Sequence, residues 1–143
     1  MTGDLRQRKI RTLAWLGDAA FEQRVRWRIA ARGDFPTDRL DAMKSDVVCA
    51  SAQAELLAAI EPALDEDELA VTRRARNAQI PSSSRSRRNV AEYRAATALE
   101  ALVAHWILTG PTGEARFDAL LAPALEAAID RAVHAHARRL RRG

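Results

Sequence analysis

The sequence predicts an all-α protein folded as a single domain. Alanine and leucine make up much of its 48% apolar content, and both are strong helix formers. Apolar residues recur every three or four positions, as on one face of a helix, and no stretch alternates as a half-buried strand would. A length of 143 residues allows one substantial core. We therefore expect one domain over residues 1–143, with a basic helix or tail from about residue 125.

The first half of the chain is predicted to form two long helices. Residues 5–31 carry apolar side chains at helical spacing, and Gly33 and Pro36 end this element. Thr37 is placed to cap a second helix. That helix is expected to continue to about residue 60, where a proline follows.

A third helix is predicted over residues 65–77. Asp65 and Glu68 have the three-residue spacing of a capping box, which satisfies backbone N–H groups at a helix start. Residues 80–88 have no apolar period and are predicted to be a loop.

Two further helical segments are predicted after this loop. The first covers residues 89–109 and ends at Gly110. The second runs from residue 114 towards 142 and contains Pro123, which either kinks the helix or splits it in two.

The charge balance predicts a polyanionic partner. The net charge is +4 and the isoelectric point about 10.2. Of 23 lysines and arginines only Lys9 and Lys44 are lysine, and the planar guanidinium suits phosphate better than an ammonium group. On this ground the sequence predicts nucleic acid as the partner.

Composition also indicates the cellular compartment in which the protein is expected. No apolar run approaches twenty residues, so no membrane span is expected, and the polar start lacks the apolar core of a signal peptide. The single cysteine, Cys49, excludes an internal disulfide and fits a cytoplasmic protein. Because it lies between Val48 and Ala50, we predict that it is a small buried residue.

A carboxylate in the first helix stands where an apolar side chain is expected. Asp18 should face the interior or a cleft, which is a costly place for a lone carboxylate. Gly17 interrupts the helix pattern at a cost of about 1 kcal/mol relative to alanine, which indicates close approach by another backbone or a ligand. A buried arginine or a helix end that satisfies Asp18 is the alternative. The residues that share its helix face are apolar: Ala14, Trp15, Phe21 and Val25.

A second carboxylate, Glu100, lies on an apolar face of the helix over residues 89–109. Two such acids can share a divalent cation, and Mg²⁺ takes carboxylate oxygens together with water and substrate phosphate. In a basic protein this pair predicts metal-assisted hydrolysis of a phosphodiester, with Asp18 and Glu100 as catalytic and metal-binding residues. The alternative is that each acid pairs with a separate buried arginine.

The two acidic segments carry a resemblance to a known family. Leu16-Gly17-Asp18-Ala19, followed much later by Leu99-Glu100-Ala101-Leu102, resembles the two acidic motifs of the ribonuclease III catalytic domain. The longer stretch over residues 13–19 is similar to Leu-Ala-Tyr-x-Gly-Asp-Ala of the Mini-ribonuclease III branch. Full-length enzymes have acids where this chain has Arg11, Ala14 and Thr97, and the branch carries that alanine and threonine. The resemblance covers residues 10–121.

The resemblance implies an all-helical endonuclease that acts as a homodimer, with Mg²⁺ as cofactor and double-stranded RNA as substrate. Asp18 and Glu100 would form one of two catalytic centres, each cutting one strand. The branch lacks an appended double-stranded-RNA-binding domain and matures precursors of large-subunit ribosomal RNA, so precursor ribosomal RNA is the expected substrate. Whether a ribosomal protein serves as a partner stays open. Candidates for the dimer interface lie around Trp15 and Phe21.

Basic residues between the two acidic motifs are the candidates for RNA contact. Clustered around a serine-rich loop, they predict a phosphate-contacting surface, although any single arginine is more typical of a solvated face. A-form RNA is recognised mainly by shape and phosphates. The arginines near the C-terminus either extend this surface or form a loose tail. The RNA-binding candidates are Arg73, Arg74, Arg76, Asn77, Arg85, Arg87 and Arg88.

Two other classes of function compete with catalysis. One is a non-catalytic double-stranded-RNA-binding or ribosome-associated protein on the same fold, which would typically lose one or both acids, whereas Asp18 and Glu100 are both present. The other is a basic DNA-binding protein, for which no helix-turn-helix signal is found. The three tryptophans are interpreted as core or dimer contacts rather than as base-stacking platforms.

Overall fold

Helix α5 lies at the centre of the fold. A computed structural model describes residues 3–78 and 89–142, and in these ranges every regular element is helical, which confirms the all-α prediction. Two short 3₁₀ turns, Leu5–Gln7 and Glu61–Ala63, and a π-helical turn, Phe117–Leu121, accompany the α-helices. The α-helices are α1 (Ile10–Ala30), α2 (Thr37–Val48), α3 (Ala50–Ile60), α4 (Glu66–Arg76), α5 (Val90–Thr109), α6 (Pro111–Arg116) and α7 (Ala122–Arg142).

Helix α5 is buried because apolar residues surround most of its circumference. Helices α1, α3, α4 and α6 all pack against it. Its small alanines let these neighbours approach closely, while Leu99, Leu102 and Trp106 fill the spaces between them. Glu100 therefore lies among packed helices, although its own side chain is only half-buried.

Two of these helix packings bring the backbones together at a glycine, and the first is at Gly17. A Cβ atom at this position of α1 would overlap the backbone carbonyl oxygen of Glu100 in α5. The close approach that the sequence indicated at Gly17 is therefore confirmed, and the approaching group is a backbone. Gly113 of α6 meets the carbonyl of Trp106 in the same way.

The predicted single helix over residues 37–60 is wrong. Cys49 has an extended backbone (φ −65°, ψ 158°) and separates α2 from α3. Gln53 provides hydrogen bonds to the two carbonyl groups at this break. Its backbone N–H donates to the Cys49 carbonyl at 3.0 Å, and its side-chain Nε2 donates to the Val48 carbonyl at 2.8 Å. Cys49 is exposed at this corner, so its predicted burial is also wrong. Pro36 occupies the N-cap position of α2, one residue before the predicted Thr37.

The segments just before α1 and just before α7 also differ from the prediction. Leu5–Gln7 is a separate 3₁₀ turn, and α1 begins only at Ile10. The predicted last helix is not split at Pro123, because helical backbone continues without a break from Pro111 to Arg142. Just before the proline it contains a π-helical turn, in which the Ala122 N–H bonds the Phe117 carbonyl.

The predicted capping box of α4 is confirmed and has a second role. Asp65 and Glu68 exchange side-chain and backbone hydrogen bonds at 2.8 Å. Glu68 is buried, and its Oε2 also accepts from Trp106 Nε1 at 2.7 Å and from Arg116 Nε at 2.9 Å. Burial raises the pKa of this carboxyl, but the bonds from Arg116, the Asp65 backbone and Trp106 outweigh it and lower the pKa to about 2. Glu68 thus joins α4, α5 and α6 as a buried anion.

Candidate active site

A cavity between α1, α4 and α5 contains both predicted acids. Its volume is about 380 Å³. Asp18 is exposed at its edge, and Glu100 lies deeper and half-buried. The sequence predicted that Asp18 lies on an apolar helix face, and in the structure part of that face lines the cavity. The cavity is lined by Arg11, Ala14, Trp15, Asp18, Ala75, Ala78, Tyr93, Arg94, Ala96, Thr97 and Glu100.

The carboxylates of Asp18 and Glu100 come close because Gly17 lies at the point where α1 crosses α5. Gly17 brings the backbone of α1 against Glu100 of α5, and Asp18 is the next residue of α1. A larger residue at position 17 would hold the helices apart. The Leu-Gly-Asp segment therefore supplies both a close helix crossing and one of the acids that the crossing brings together.

The Glu100 carboxyl is held in its protonated form. Burial is the main cause, and the hydrogen bond and negative charge of Asp18 act in the same direction. A hydrogen bond from Gln53 opposes them, and the pKa of Glu100 is raised to about 8. Near neutral pH the Glu100 carboxyl therefore keeps its proton in the metal-free protein.

Neither acid has a cationic partner in the described part of the chain. Ion pairs within 4.0 Å involve other carboxylates throughout residues 3–78 and 89–137. A buried carboxylate that is neither paired nor bound to a cation is costly. The alternative in which each acid pairs with its own buried arginine is thus not seen among these residues.

The donor set fits a divalent cation of the Mg²⁺ type. Two carboxylates are a usual protein contribution to such a site, with water and substrate phosphate completing the coordination. Gln53 of α3, which is 3% exposed, has a buried Oε1 with no hydrogen-bond partner within the described residues. The same residues contain no cluster of three acidic, histidine or cysteine side chains, so Asp18 and Glu100 are the residues that could hold the ion.

The basic candidates fall into two groups. Arg73, Arg74 and Asn77 are exposed on or next to the last turn of α4, beside the cavity-lining Ala75 and Ala78. Arg76 instead pairs with Glu61, and its carbonyl accepts a hydrogen bond from Arg94, so this residue is part of the packing. The loop candidates Arg85, Arg87 and Arg88 lie outside the described residues.

Other arginines are occupied in structural ion pairs. On α1, Arg24 contacts Glu114 at 2.6 Å and Arg28 contacts Glu126 at 3.2 Å. Arg32 bonds Glu126 at 2.7 Å and also Asp130. These pairs join α1 to α6 and α7, so part of the basic charge in the sequence stabilises the fold rather than a surface for a partner.

Arg11 and Arg94 line the cavity and bring positive charge near the acids. Arg94 is one of the basic residues between the two acidic motifs, where the sequence predicted phosphate contact, whereas Arg11 had been given no role at the site. Gln53 was missed, although one signal was available, since it is a polar residue three and four positions before the core residues Leu56 and Leu57. Of the tryptophans, Trp106 is in the core, whereas Trp15 and Trp27 are 73% and 61% exposed.

Comparisons with known proteins agree on one family. A model of the ribonuclease III domain matches residues 11–111. The Mini-ribonuclease 3 of Brevibacillus brevis is 40% identical over 98 residues, which are 68% of this chain and 72% of that protein. The Mini-ribonuclease 3 of Desulfitobacterium hafniense is 44% identical over 103 residues, 71% of this chain and 63% of that protein.

A solved structure shares the fold. The crystal structure of a Fusobacterium nucleatum protein superposes with a TM-score of 0.72 at 28% identity, covering 87% of this chain and 98% of the other. The helical architecture and the matched domain define an endoribonuclease of the ribonuclease III type. More particularly, the chain belongs to the Mini-ribonuclease 3 branch of the ribonuclease III family, as its sequence motifs predicted.

Across the described residues, no helix combines the length and the apolar character that crossing a membrane requires.

Proposed function

We propose that the chain is a Mg²⁺-dependent endoribonuclease that cleaves double-stranded RNA, with Asp18 and Glu100 as its catalytic, metal-binding pair. One observation carries this proposal more than any other. Two carboxylates without a cationic partner among the described residues line one cavity, and the charge of Asp18 disfavours ionisation of Glu100. A divalent cation removes that repulsion.

The residues that line the cavity would have different roles in hydrolysis. When bound, Mg²⁺ supplies charge stabilisation to the phosphodiester and lowers the pKa of water. Asp18 and Glu100 would hold the ion, and Glu100 would give up its proton when it does so, because its pKa of about 8 applies to the metal-free protein. Arg11 and Arg94 line the same cavity and are placed to offset phosphate charge.

The substrate class is supported by the basic surface next to the cavity. Arg73, Arg74 and Asn77 are exposed beside it, and we propose that they contact RNA phosphates, together with Arg85, Arg87 and Arg88 of the loop. Arg76 would act through its packing with Glu61 and Arg94. Precursor ribosomal RNA of the large subunit is the proposed natural duplex, on the resemblance to the Mini-ribonuclease III branch.

We also propose a homodimer. A single pair of acids forms one centre, so cutting both strands in one encounter needs two centres related by a two-fold axis. Trp15 is 73% exposed beside the cavity and is available for such a contact. Phe21 is fully buried within the protomer, so its predicted place at the interface is wrong. A monomer by sedimentation at micromolar concentration that still cuts both strands would contradict the dimer.

One assay tests the proposed function. Purified protein is incubated with a long RNA duplex in Mg²⁺ or in EDTA, and binding is followed in parallel. We expect cleavage in Mg²⁺ only, with single-stranded RNA and duplex DNA cut poorly, because A-form shape and 2′-hydroxyls distinguish the substrate. RNA that is bound but stays intact in Mg²⁺ would favour the alternative, a non-catalytic RNA-binding or ribosome-associated protein.

A further inference from the structure

The cavity that contains Asp18 and Glu100 is also lined by two arginines, one on each of the helices that carry the acids. Arg11 lies two helical turns before Asp18 on α1, and Arg94 lies nearly two turns before Glu100 on α5. Because a helix rises by about 1.5 Å per residue, the Cα atom of each arginine is about 10 Å from that of the acid on its own helix.

Both arginines lie on the same side of the acids. Helices α1 and α5 cross at Gly17, and beyond the crossing Arg24 of α1 contacts Glu114, just after the end of α5, at 2.6 Å. The two helices therefore run in the same direction from their crossing, and Arg11 and Arg94 both precede it. The cavity thus has an acidic end and a basic end.

The guanidinium of Arg94 is held at the basic end by the backbone of α4. Its Nη1 donates to the carbonyl of Arg76, the last residue of α4, where a helix leaves carbonyls without partners of its own. A guanidinium has further N–H donors besides this one. Arg11 is exposed, and no ion pair found among the described residues involves it. Both side chains therefore have donors for an anion that enters the cavity.

The cavity is larger than a hydrated cation requires. One water takes about 30 Å³, so the octahedral shell of Mg²⁺ fills about 180 Å³. The cavity volume is about 380 Å³, which leaves roughly half of it for another group. An RNA strand has a phosphate at every nucleotide, so a strand whose scissile phosphate lies at the acids brings further phosphates to either side.

We propose that Arg11 and Arg94 bind the phosphate next to the scissile one on the same strand, and that this contact fixes the register of the RNA at the acids. This inference rests on the proposed function, since a scissile phosphate exists only if Asp18 and Glu100 form the catalytic site. The guanidinium fork suits a phosphate because two N–H groups can bond two of its oxygens. In the competing account, the arginines offset the charge of the scissile phosphate itself.

The test uses Arg11→Gln, because Arg11 is exposed and its replacement should leave the fold intact. Arg8→Gln is the matched control, since Arg8 is exposed one turn earlier but does not line the cavity. A short self-complementary RNA duplex is first cut by the wild-type chain in Mg²⁺ to locate the scissile phosphate. The duplex is then prepared with one uncharged methylphosphonate per strand, at the scissile phosphate or at either neighbour. The affinity of each modified duplex is measured by competition, and the single-turnover rate at saturation is measured in parallel.

We expect a methylphosphonate at one neighbouring position to weaken binding to the wild-type chain and to Arg8→Gln by about tenfold. Arg11→Gln should bind the unmodified duplex about tenfold more weakly and lose little more with that methylphosphonate, because the contact is already absent. The rate at saturation should change less than the affinity. Arg94→Gln should show the same coupling, which is compared between duplexes within one variant and so excludes any effect of its lost bond to Arg76.

Equal losses in the wild-type chain and in Arg11→Gln at both neighbouring positions would overturn the role of the basic end and leave cleavage by Asp18 and Glu100 standing. Coupling of Arg11 to the scissile position alone would also overturn it, in favour of the competing account. If the wild-type chain cuts no duplex, no phosphate is scissile, and this inference is overturned together with the proposed function.

Discussion

At Glu100, burial and the neighbouring carboxyl of Asp18 act in the same direction. Both favour the protonated form, so the pKa is raised from about 4.5 to about 8. The opposite holds at Glu68, where three donors outweigh burial and the pKa falls to about 2. Glu68 therefore has its partners within the fold, whereas Glu100 is the acid that we propose binds a cation.

The raised pKa of Glu100 predicts a pH dependence of stability in the metal-free protein. A raised folded-state pKa contributes stability that is present below about pH 4.5 and is lost as pH rises through about 8. Allowing for partial exposure, the loss should be roughly 2–4 kcal/mol. Denaturant unfolding in EDTA at several pH values measures it. Glu100→Gln should flatten the profile, whereas the exposed Glu55→Gln should not, and an unaltered slope in Glu100→Gln would contradict the assignment.

Glu68 is expected to behave in the reverse way. Its depressed pKa gives stability that is present above about pH 4.5 and is lost as pH falls through about 2. Glu68→Ala leaves Arg116 and Trp106 without their acceptor and should destabilise the fold by roughly 3–5 kcal/mol at neutral pH. Glu66, exposed in the same turn, offers the matched variant Glu66→Ala, with little expected effect. Similar unfolding midpoints for the two variants would show that the buried anion does not join the three helices.

At the scale of helices, the crossing of α1 and α5 decides whether the site forms. Gly17→Ala adds a Cβ that overlaps the Glu100 carbonyl, so the helices must separate although alanine has the higher helix propensity. We expect destabilisation of about 1–3 kcal/mol or more, with cleavage lost in the folded fraction. Gly3→Ala, where a Cβ meets nothing within 4 Å, is the control. A more stable and active Gly17→Ala would mean that the crossing tolerates a side chain.

Local signals in the sequence located most helices but not every boundary. The capping box at Asp65 and the breaker at Gly110 have local causes, so they could be predicted. The break at Cys49 could not, because no glycine or proline marks it and the Val48 carbonyl is satisfied by a side chain five positions later. Pro123 marked a disturbance of the last helix, but it did not show that the helix continues past it through a π-helical turn.

The candidate site likewise combines features that the local sequence predicts with features that depend on tertiary packing. Asp18 and Glu100 were identified because carboxylates at apolar positions are unusual in any helix. Their meeting in one cavity depends on the tertiary approach at Gly17, which the glycine indicated without naming its partner. The place of Arg11 and Arg94 in the cavity lining became known only with the structure, because it depends on how α1 and α5 pack.

For the whole molecule, the arginines that are exposed beside the cavity predict which surface binds RNA. Arg73 and Arg74 are exposed beside the cavity, whereas Arg26 pairs with Glu22 at 3.0 Å on the surface of α1. Replacing Arg73 and Arg74 by alanine should weaken duplex binding and lower the slope of log affinity against log salt by about 1 for each lost phosphate contact. Arg26→Ala is the control. Binding isotherms at several salt concentrations measure the slope, and an unchanged slope in the double variant would exclude α4 from the RNA surface.

The central claim is that Asp18 and Glu100 bind a catalytic cation rather than stabilise the fold. Single-turnover cleavage of duplex RNA by Glu100→Gln, with its melting temperature in EDTA, tests this most directly. We predict that cleavage falls by orders of magnitude, because transition-state stabilisation of several kcal/mol is lost. RNA binding should persist, and the melting temperature should hold at neutral pH and rise above about pH 8, because glutamine cannot take the negative charge that Glu100 carries there beside Asp18. A loss of about 3–5 kcal/mol in stability, with cleavage retained in the folded fraction, would contradict the claim.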